Sequence, residues 1–355
     1  MQQPGLFADD EPAPGLGGGP VEPAAPPAAP RRRAALAAVE PLPPDAALEA
    51  LAAALPPTLR LGTSSWSYPG WDGLVWKGPH SESLLARKGL AAYARHPLLR
   101  TVSLDRAFYR PLTATQYAGL AAQVPEDFRF VVKAPNLVTE ATVRDDNGRP
   151  TRENAAFLDP ALAVSEVARP LIEGLGAQLG VLVFQLSPLP FAWLGDLPRF
   201  LDRLHALLHA LPDLREAAPG AIVAVEVRNP ELLREPGLPD VLRATGATYC
   251  LGLHARLPPI EEQLGLLRRL WPGPLVCRWN LHRRHGRQGY ANAEKLYAPF
   301  DRIHDPDDAT RDVLARTIAG FASRGQPVFV TVSNTAEGSA PLSLRALAEA
   351  VREHR

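Results

Sequence analysis

The sequence predicts an α/β fold, a single (β/α)8 barrel of the TIM-like kind, preceded by a disordered tail rich in proline and glycine. Eight short apolar segments recur along the chain, and a stretch of helical character follows each of them. Their continuous aliphatic and β-branched composition is typical of parallel strands buried on both faces. Because parallel strands need crossover connections, the helical stretches complete the repeating unit. Eight units over roughly 300 residues have the size of one barrel with insertions.

In chain order, the strand candidates are LRLGT from Leu59, LRTVSL from Leu99, FRFVVK from Phe128, GVLVFQL from Gly180, AIVAVEV from Ala221, ATYCLGL from Ala247, PLVCRW from Pro274 and PVFVTV from Pro327. A short helix is predicted before the first strand, over DAALEALAAAL, because Asp45 is a suitable N-cap. Insertions follow the first, third and seventh strands, at 64–78, 136–160 and 280–308. Chemistry in such a barrel gathers where strands end, so strand-end residues are the site candidates.

The chain divides by composition into two parts. Residues 1–44 combine many prolines with a GLGGG run and few large apolar residues, so we expect them to be disordered. Residues 45–355 form the barrel domain in this interpretation. Cys250 and Cys277 both lie inside strand candidates, where small buried hydrophobic residues are expected, and neither has metal-ligand spacing.

Charge and hydropathy argue against several classes of partner. Lys+Arg and Asp+Glu both total 38, so no net charge draws the chain to nucleic acid or to an anionic membrane. No apolar run approaches the ~18 residues of a membrane span, and the N-terminus lacks the basic start and apolar core of a signal peptide. A cytoplasmic protein without a membrane or nucleic-acid partner is therefore expected, and its oligomeric state is left open.

Charged residues end the third and fifth strands. Lys133 follows an apolar run in FVVKAP, so its amine is predicted to point into the barrel mouth, where burial tunes a lysine for catalysis or anion binding. In VAVEVRNP, Glu226 and Arg228 lie two residues apart and share the inward face, whereas Val225 and Val227 face outward. Because an inward Glu–Arg pair is costly to bury, this pair is the strongest functional signal in the chain.

Further polar residues end other strands on the same rim. They are Asp105 and Tyr109 beyond the second strand, Gln185 at the fourth, Arg278 at the seventh and Asn334 at the eighth. Each alone is a weak signal, because a polar strand-end residue is often a loop cap, but their coincidence favours a site. The loop SSWSYPGWDGLVWKG adds Trp66, Tyr68 and Trp71. Two interpretations of these aromatics remain open: a small core on the rim, or an aromatic wall of the pocket.

The segment after the seventh strand, RWNLHRRHGRQGY, is rich in arginine and histidine. Loops after strands seven and eight often bind phosphate in this fold, so His282–Arg287 and Arg278 are predicted to bind an anion; the alternative is that the loop arginines face water. A divalent metal held by Asp105, Glu226 and His254 is a further alternative. No cofactor is indicated, because dinucleotide, P-loop, HExxH and GxSxG motifs do not occur at suitable places.

Several of these segments together resemble the YecE-like family, also called domain of unknown function 72. They are GTSSWSYPGW, FYR, VVKAP, FQLSP, VEVRNP and SNTAEGSAP, in order and at suitable spacing across residues 59–353. The resemblance implies a TIM-like barrel and leaves the activity open. One segment departs from the family pattern: where members usually read Glu-x-Asn-x-Thr-Phe-Tyr, this chain has Ser103, Asp105 and Ala107 at the three polar positions. A chemistry that depends on that glutamate would lack it here.

The sequence thus predicts an enzyme that acts on a small anionic or sugar-like substrate by acid–base catalysis at the barrel mouth, of the hydrolase, lyase or isomerase class. Glu226 would be the general acid or base, with Lys133 and Asp105 as further catalytic residues. Substrate binding would fall to Trp66, Tyr68, Trp71, Tyr109, Gln185, Arg228, Arg278 and Asn334. Two alternatives remain: a noncatalytic ligand-binding or adaptor protein and, with less support, a nucleic-acid processing enzyme.

Overall fold

The predicted barrel is present in a computed structural model of the chain, which describes residues 38–145, 149–286 and 289–354. Its strands are β1 Leu59–Thr63, β2 Leu99–Leu104, β3 Arg129–Lys133, β4 Thr142–Arg144, β5 Pro150–Glu153, β6 Leu179–Gln185, β7 Ile222–Glu226, β8 Thr248–Leu253, β9 Leu275–Trp279 and β10 Val328–Val332. β4 and β5 form an antiparallel ribbon; the other strands described close into a barrel in the order β1-β10-β9-β8-β7-β6-β3-β2, with every pair parallel. Each barrel strand matches one predicted segment to within a residue at either end, so the predicted fold class is confirmed.

Helices connect the strands and cover the outside of the barrel. They are α1 Ala46–Ala54, α2 Glu82–Lys88, α3 Leu90–Tyr93, α4 Ala114–Ala121, α5 Asn136–Thr139, α6 Pro160–Leu162, α7 Arg169–Leu175, α8 Phe191–Leu194, α9 Leu197–Ala210, α10 Leu214–Ala217, α11 Pro230–Arg234, α12 Gly237–Ala244, α13 Ile260–Arg269, α14 Gly289–Tyr297, α15 Asp308–Ala322 and α16 Ala340–Glu353. Short 3-10 turns lie at Pro69–Trp71, Asp105–Phe108, Gly176–Gln178, Arg283–His285 and Asn334–Ala336, and a π-helical segment, Ala163–Ala168, joins α6 to α7.

Local sequence explains where helices begin and which face they bury. The Asp45 carboxylate accepts a hydrogen bond of 2.6 Å from the backbone N–H of Leu48, which confirms the predicted helix and its N-cap. Asp196 caps α9 in the same way, and α9 then buries one face at helical spacing, formed by Phe200, Leu204, Leu207 and Leu208. Among the described residues, no helix combines the length and the apolar composition that a bilayer crossing requires.

The interior of the barrel has a polar layer at the carboxyl ends of the strands and an apolar layer one inward position earlier along them. The apolar layer consists of Val131, Val181, Val183, Ile222, Ala224, Cys250, Val276 and Phe329. Because side chains alternate every two residues along a strand, the next inward positions carry Lys133, Gln185, Glu226 and Arg278. Cys277 faces the outer core instead, and both cysteines are buried and free, as expected from the sequence.

The N-terminal part of the described chain packs along the loop after β1. The backbone N–H of Leu42 donates to the carbonyl of Val75, and that of Lys77 donates to the carbonyl of Glu40, each at 3.0 Å. Val39 is buried. Residues 39–42 therefore pack with the barrel domain, so the disorder expected for residues 1–44 is wrong for this stretch; residues 1–37 lie outside the described residues.

β1 and β2 approach each other closely at Gly62. A Cβ atom at this position would lie 1.9 Å from the carbonyl oxygen of Thr101. The register between the two strands also shifts at this point, between Leu61 and Gly62. The closure of the barrel at the β1–β2 seam therefore requires a residue without a side chain.

We predict that Gly62→Ala destabilises the protein by about 3 kcal/mol or more, because the backbone of β2 must move to admit the methyl group. Gly265→Ala is the matched control: Gly265 lies inside α13 with no atom within 4 Å of the new Cβ, so the free energy of unfolding should rise by about 0.5–1 kcal/mol. Urea denaturation of both variants measures the contrast, and equal effects at the two glycines would contradict it.

Candidate active site

Side chains from four strands and one turn meet at the mouth of the barrel. Glu226 ends β7, Gln185 ends β6, Lys133 ends β3 and Arg278 lies one residue before the end of β9. Asp105 opens the 3-10 turn that follows β2. All five are among the residues predicted from the sequence, and the structure brings them together.

Arg278 is the centre of this cluster. Its side chain is 3% exposed, and its Nη1 donates to Glu226 Oε2 at 2.7 Å and to Gln185 Oε1 at 2.8 Å. Its Nη2 donates to both oxygens of Asp105, at 3.0 and 2.9 Å. One guanidinium group therefore connects three other secondary-structure elements across the mouth, which suits its planar arrangement of donors.

Glu226 is fully buried and lies between two arginines. Its Oε1 forms an ion pair of 2.6 Å with Nη2 of Arg228, which also donates to Gln185 at 2.9 Å. The predicted sharing of one face by Glu226 and Arg228 is thus confirmed. The facing backbone is Gly252 of β8, where a Cβ would lie 3.1 Å from Glu226 Oε1, so this glycine gives the carboxylate its space.

Both carboxylates of the cluster remain ionised at neutral pH. Burial alone would raise the pKa of Glu226, but the charges of Arg228 and Arg278 outweigh it and hold the pKa below its ordinary value. For Asp105, burial is likewise outweighed by Arg278, then by Lys133, and by a hydrogen bond of 2.6 Å from Ser103, so its pKa is also lowered. Ser103 and Asp105 are the residues at which the sequence departs from the family pattern, and here they form a pair.

Lys133 differs from its neighbours because, among the described residues, it forms no ion pair. Its side chain is buried, with 9% of the residue exposed, and Nζ lies 3.5 Å from the ring centroid of Phe108. Within the described residues, no ion pair or hydrogen bond of Nζ accompanies this cation–π contact. Burial lowers the pKa of Lys133 to about 7; Asp105 opposes the shift, and Arg278 and Arg228 add to it.

The rim of the mouth carries exposed aromatic side chains. Tyr109 is 77% exposed, with its ring packed edge-on against Phe108 at a centroid distance of 5.3 Å. Tyr290 lies against His254, with ring centroids 5.2 Å apart. Burial and the charge of Arg228 lower the pKa of His254 to about 4, so its imidazole is neutral at pH 7. Tyr290 carries no sequence signal that singles it out, since its position depends on how the loop after β9 folds back.

Three of the residues predicted to bind substrate have other partners. Trp71 donates from Nε1 to the side chain of Asn334 at 3.2 Å, and the same Asn334 oxygen accepts from the backbone of Ala340 at the start of α16. Trp66 donates to the carbonyl of Leu85 at 3.1 Å. All three side chains are buried, so the structure places them in the packing of the rim and leaves their role as ligand contacts a prediction.

The loop after β1 matches the first of its two interpretations, a small core on the rim. The rings of Trp71 and Trp76 are fully buried, with centroids 5.7 Å apart. Tyr68 packs between Trp71, at 4.8 Å, and Phe300, at 5.4 Å, and burial raises its pKa to about 12. Of the predicted aromatic contacts, Tyr109 is therefore the one with an exposed ring at the mouth.

The basic loop after β9 is paired internally. Arg284 forms an ion pair with Asp305, and Arg283 donates to the carbonyl of Leu257 at 2.6 Å. The ring of His285 is hydrogen-bonded to Tyr297 at 2.6 Å. Arg287 lies outside the described residues. The described part of this loop thus uses these predicted anion-binding groups in its own folding, and Arg278 is neutralised by the carboxylates of the mouth.

The three residues considered for a divalent metal do not form a joint ligand set. Asp105 and Glu226 both bind Arg278, and Nδ1 of His254 accepts a hydrogen bond of 3.0 Å from the backbone of Arg256. Among the described residues, no group of three or more His, Cys, Asp or Glu side chains has an arrangement suited to a metal ion. The guanidinium of Arg278 occupies the position between the carboxylates where a cation would bind.

A closed parallel barrel with its charged cluster at the ends of the strands defines this protein as a TIM-like (β/α)8 barrel. The family described as protein of unknown function DUF72 matches residues 60–355, and the chain belongs to this family. The resemblance read from the sequence is thereby confirmed.

This chain is similar to solved structures of the same family, one of which shares the fold at a TM-score above 0.5. A DUF72 family protein from Thermotoga maritima MSB8 is 19% identical, with a TM-score of 0.52, and the match covers 82% of this chain and 98% of that one. A DUF72 family protein from Enterococcus faecalis V583 is 18% identical, with a TM-score of 0.49 and coverage of 82% and 95%. None of the curated proteins matches this chain in sequence.

We predict that Arg278→Met destabilises the protein by about 3–5 kcal/mol, because it leaves two carboxylates at the mouth without their shared partner. Arg316→Met is the control: Arg316 pairs with Asp312 on the surface, at 2.9 Å with both side chains about half exposed, and its loss should change the free energy of unfolding by about 1 kcal/mol or less. Chemical denaturation compares the two. A small loss of stability in Arg278→Met would contradict the prediction, because it would mean that water can solvate the two carboxylates once the arginine is removed.

The lowered pKa of Lys133 predicts a pH-dependent stability. The unfolded chain holds this proton up to about 10.5 and the folded protein only up to about 7, so between these values the unfolded state binds more protons and stability rises with pH. Relative to Lys133→Met, the free energy of unfolding of the wild type should therefore increase by about 1.4 kcal/mol per pH unit from pH 7 to 10. Lys88→Met, at an exposed position, should give a flat difference. If the stability difference between the wild type and Lys133→Met also does not change with pH, the pKa of Lys133 is not lowered and the prediction is wrong.

Proposed function

We propose that this protein is an enzyme that transfers a proton between Lys133 and a small polar substrate bound at the mouth of the barrel. The observation that carries the proposal is a buried amine without an ionic partner at the functional end of the fold, with its pKa lowered to about 7. A general base works best when its pKa lies near the working pH, because it is then both unprotonated and basic.

The base in this proposal is Lys133 rather than Glu226, to which the sequence alone assigned the acid–base role. Glu226 is fully buried, and each of its oxygens is held by an arginine at 2.6 or 2.7 Å. A proton on this carboxyl group would have to displace an ion pair. Glu226 therefore serves to fix Arg278 and Arg228 in place.

The charges of the mouth favour a polar substrate without strong charge. Arg228 and Arg278 are balanced by Glu226 and Asp105, so neither guanidinium is left over to attract an anion. The Asp105 side chain is 34% exposed and offers its carboxylate as an acceptor for substrate hydroxyl groups. The exposed ring of Tyr109 beside it suits the apolar face of a sugar-like molecule. Of the two predicted substrate types, the sugar-like one fits better.

The protonation states favour an isomerase or lyase over a glycoside hydrolase. Glycoside hydrolysis by paired carboxyl groups needs one of them protonated as the general acid. Here both Glu226 and Asp105 have lowered pKa values and bind Arg278. A neutral amine instead suits abstraction of a proton next to a carbonyl group, because it can accept that proton near neutral pH.

Deuterium exchange tests this proposal. The wild type should incorporate solvent deuterium next to the carbonyl of at least one compound among small aldoses and ketoses, measured by NMR in D2O. Lys133→Met should lower the exchange rate about a hundredfold or more, whereas Lys88→Met, on the exposed end of α2, should not change it.

The pH profile adds a second readout. The ratio kcat/KM should rise as the pH increases through about 7, because the neutral amine is the active form. In Asp105→Asn this rise should move to lower pH, since the charge of Asp105 stabilises the ammonium form of Lys133. Exchange that is equally fast in Lys133→Met, or a profile unchanged by Asp105→Asn, would contradict the assignment.

A further inference from the structure

We propose that Lys133 is also a nucleophile, whose amine condenses with the carbonyl carbon of an aldehyde or ketone at the barrel mouth to form a Schiff base. This inference rests on the proposed function and deepens it, because it names the substrate class as carbonyl compounds. Its basis is the placement of the amine: buried at the end of β3, directed into the mouth and lying against the face of Phe108.

The surrounding carboxylates are already engaged and do not neutralise the amine. Both oxygens of Asp105 accept hydrogen bonds from Arg278, and Oδ1 also accepts one from Ser103. Glu226 is held between Arg278 and Arg228. Lys133 is thus a lysine in a desolvated position next to cationic groups, the environment that leaves an amine neutral with its lone pair available.

The step balances without any further reagent. The nitrogen lone pair attacks the carbonyl carbon and forms the C–N bond. The nitrogen gives up its two protons in the course of the reaction, and they balance the two that the oxygen takes up. With the first of them the carbonyl oxygen becomes a hydroxyl group. That hydroxyl group then leaves as water with a second proton, and the C=N bond forms. The sum is amine plus carbonyl compound giving imine plus water. Once the imine nitrogen is protonated, the carboxylate of Asp105 supplies a stabilising negative charge, as it does for the ammonium form.

The chain provides its own controls, because it contains three further lysines, Lys77, Lys88 and Lys295. All three are exposed, whereas Lys133 is buried. With a pKa near 7 for Lys133 against about 10.4 for an ordinary lysine, the neutral fraction differs on the order of a thousandfold. A covalent adduct at Lys133 can therefore be distinguished from nonspecific labelling within one protein.

Trapping with sodium borohydride tests the inference. The wild-type protein is incubated at pH 7 with dihydroxyacetone, or in a second series with hydroxyacetone, then reduced, digested and mapped by mass spectrometry. The reduced adduct should occupy Lys133 at least about tenfold more than any of the other three lysines. Lys133→Arg, which keeps the positive charge, should abolish the adduct at this position, and Lys88→Arg should leave it unchanged.

An NMR titration of the 15N-labelled lysine side chains separates failure of this inference from failure of the proposed function. One amine is expected to titrate near pH 7, and its absence in Lys133→Arg assigns it to Lys133. If this amine is found but gives no adduct with either ketone, the Schiff-base inference is wrong and the proposed proton transfer stands. If all four amines titrate near 10.4, both are wrong. Labelling spread evenly over the four lysines would also overturn the covalent role. Since the adduct mapping uses wild-type protein, the position of the label does not depend on the folding of a variant.

Discussion

The guanidinium group of Arg278, held between Glu226 and Asp105, is the interaction on which the rest of the mouth depends. It joins β9 to β7 and to the turn after β2, and through Gln185 to β6. Removing charges from water is unfavourable, so such a cluster is stable only when nearly every charge has a partner. Here two arginines and two carboxylates satisfy each other, and the fifth charged group, Lys133, is left without one.

The chemistry proposed for Lys133 follows from this arrangement. An ammonium group that is buried without a carboxylate of its own is disfavoured, so the amine loses its proton near neutral pH. The same cluster keeps the carboxylates ionised and therefore unsuited to act as acids. Stability and the proposed reactivity are thus linked, because the network that joins the strand ends also leaves Lys133 buried beside it.

Much of this arrangement follows from local sequence. The apolar segments with helical stretches between them define a parallel barrel, and the two-residue period of a strand places Glu226 and Arg228 on one inward face. The same period places Lys133 above Val131 and Arg278 above Val276. These predictions succeed because strand direction and side-chain alternation are properties of short segments, and because strands of a barrel end on a common rim.

The sequence by itself therefore determined the barrel, the rim and the inward residues, whereas the tertiary structure decided what each residue does there. Arg278 and Asp105 are 173 positions apart, and their contact depends on closure of the sheet. That contact gives Arg278 carboxylate partners within the protein, and the one between Arg284 and Asp305 does the same in the basic loop. Trp71 and Asn334 are likewise joined by a hydrogen bond between distant parts of the chain. Partners and burial set the pKa of a group and its access to ligand, and both are fixed only when distant segments pack together.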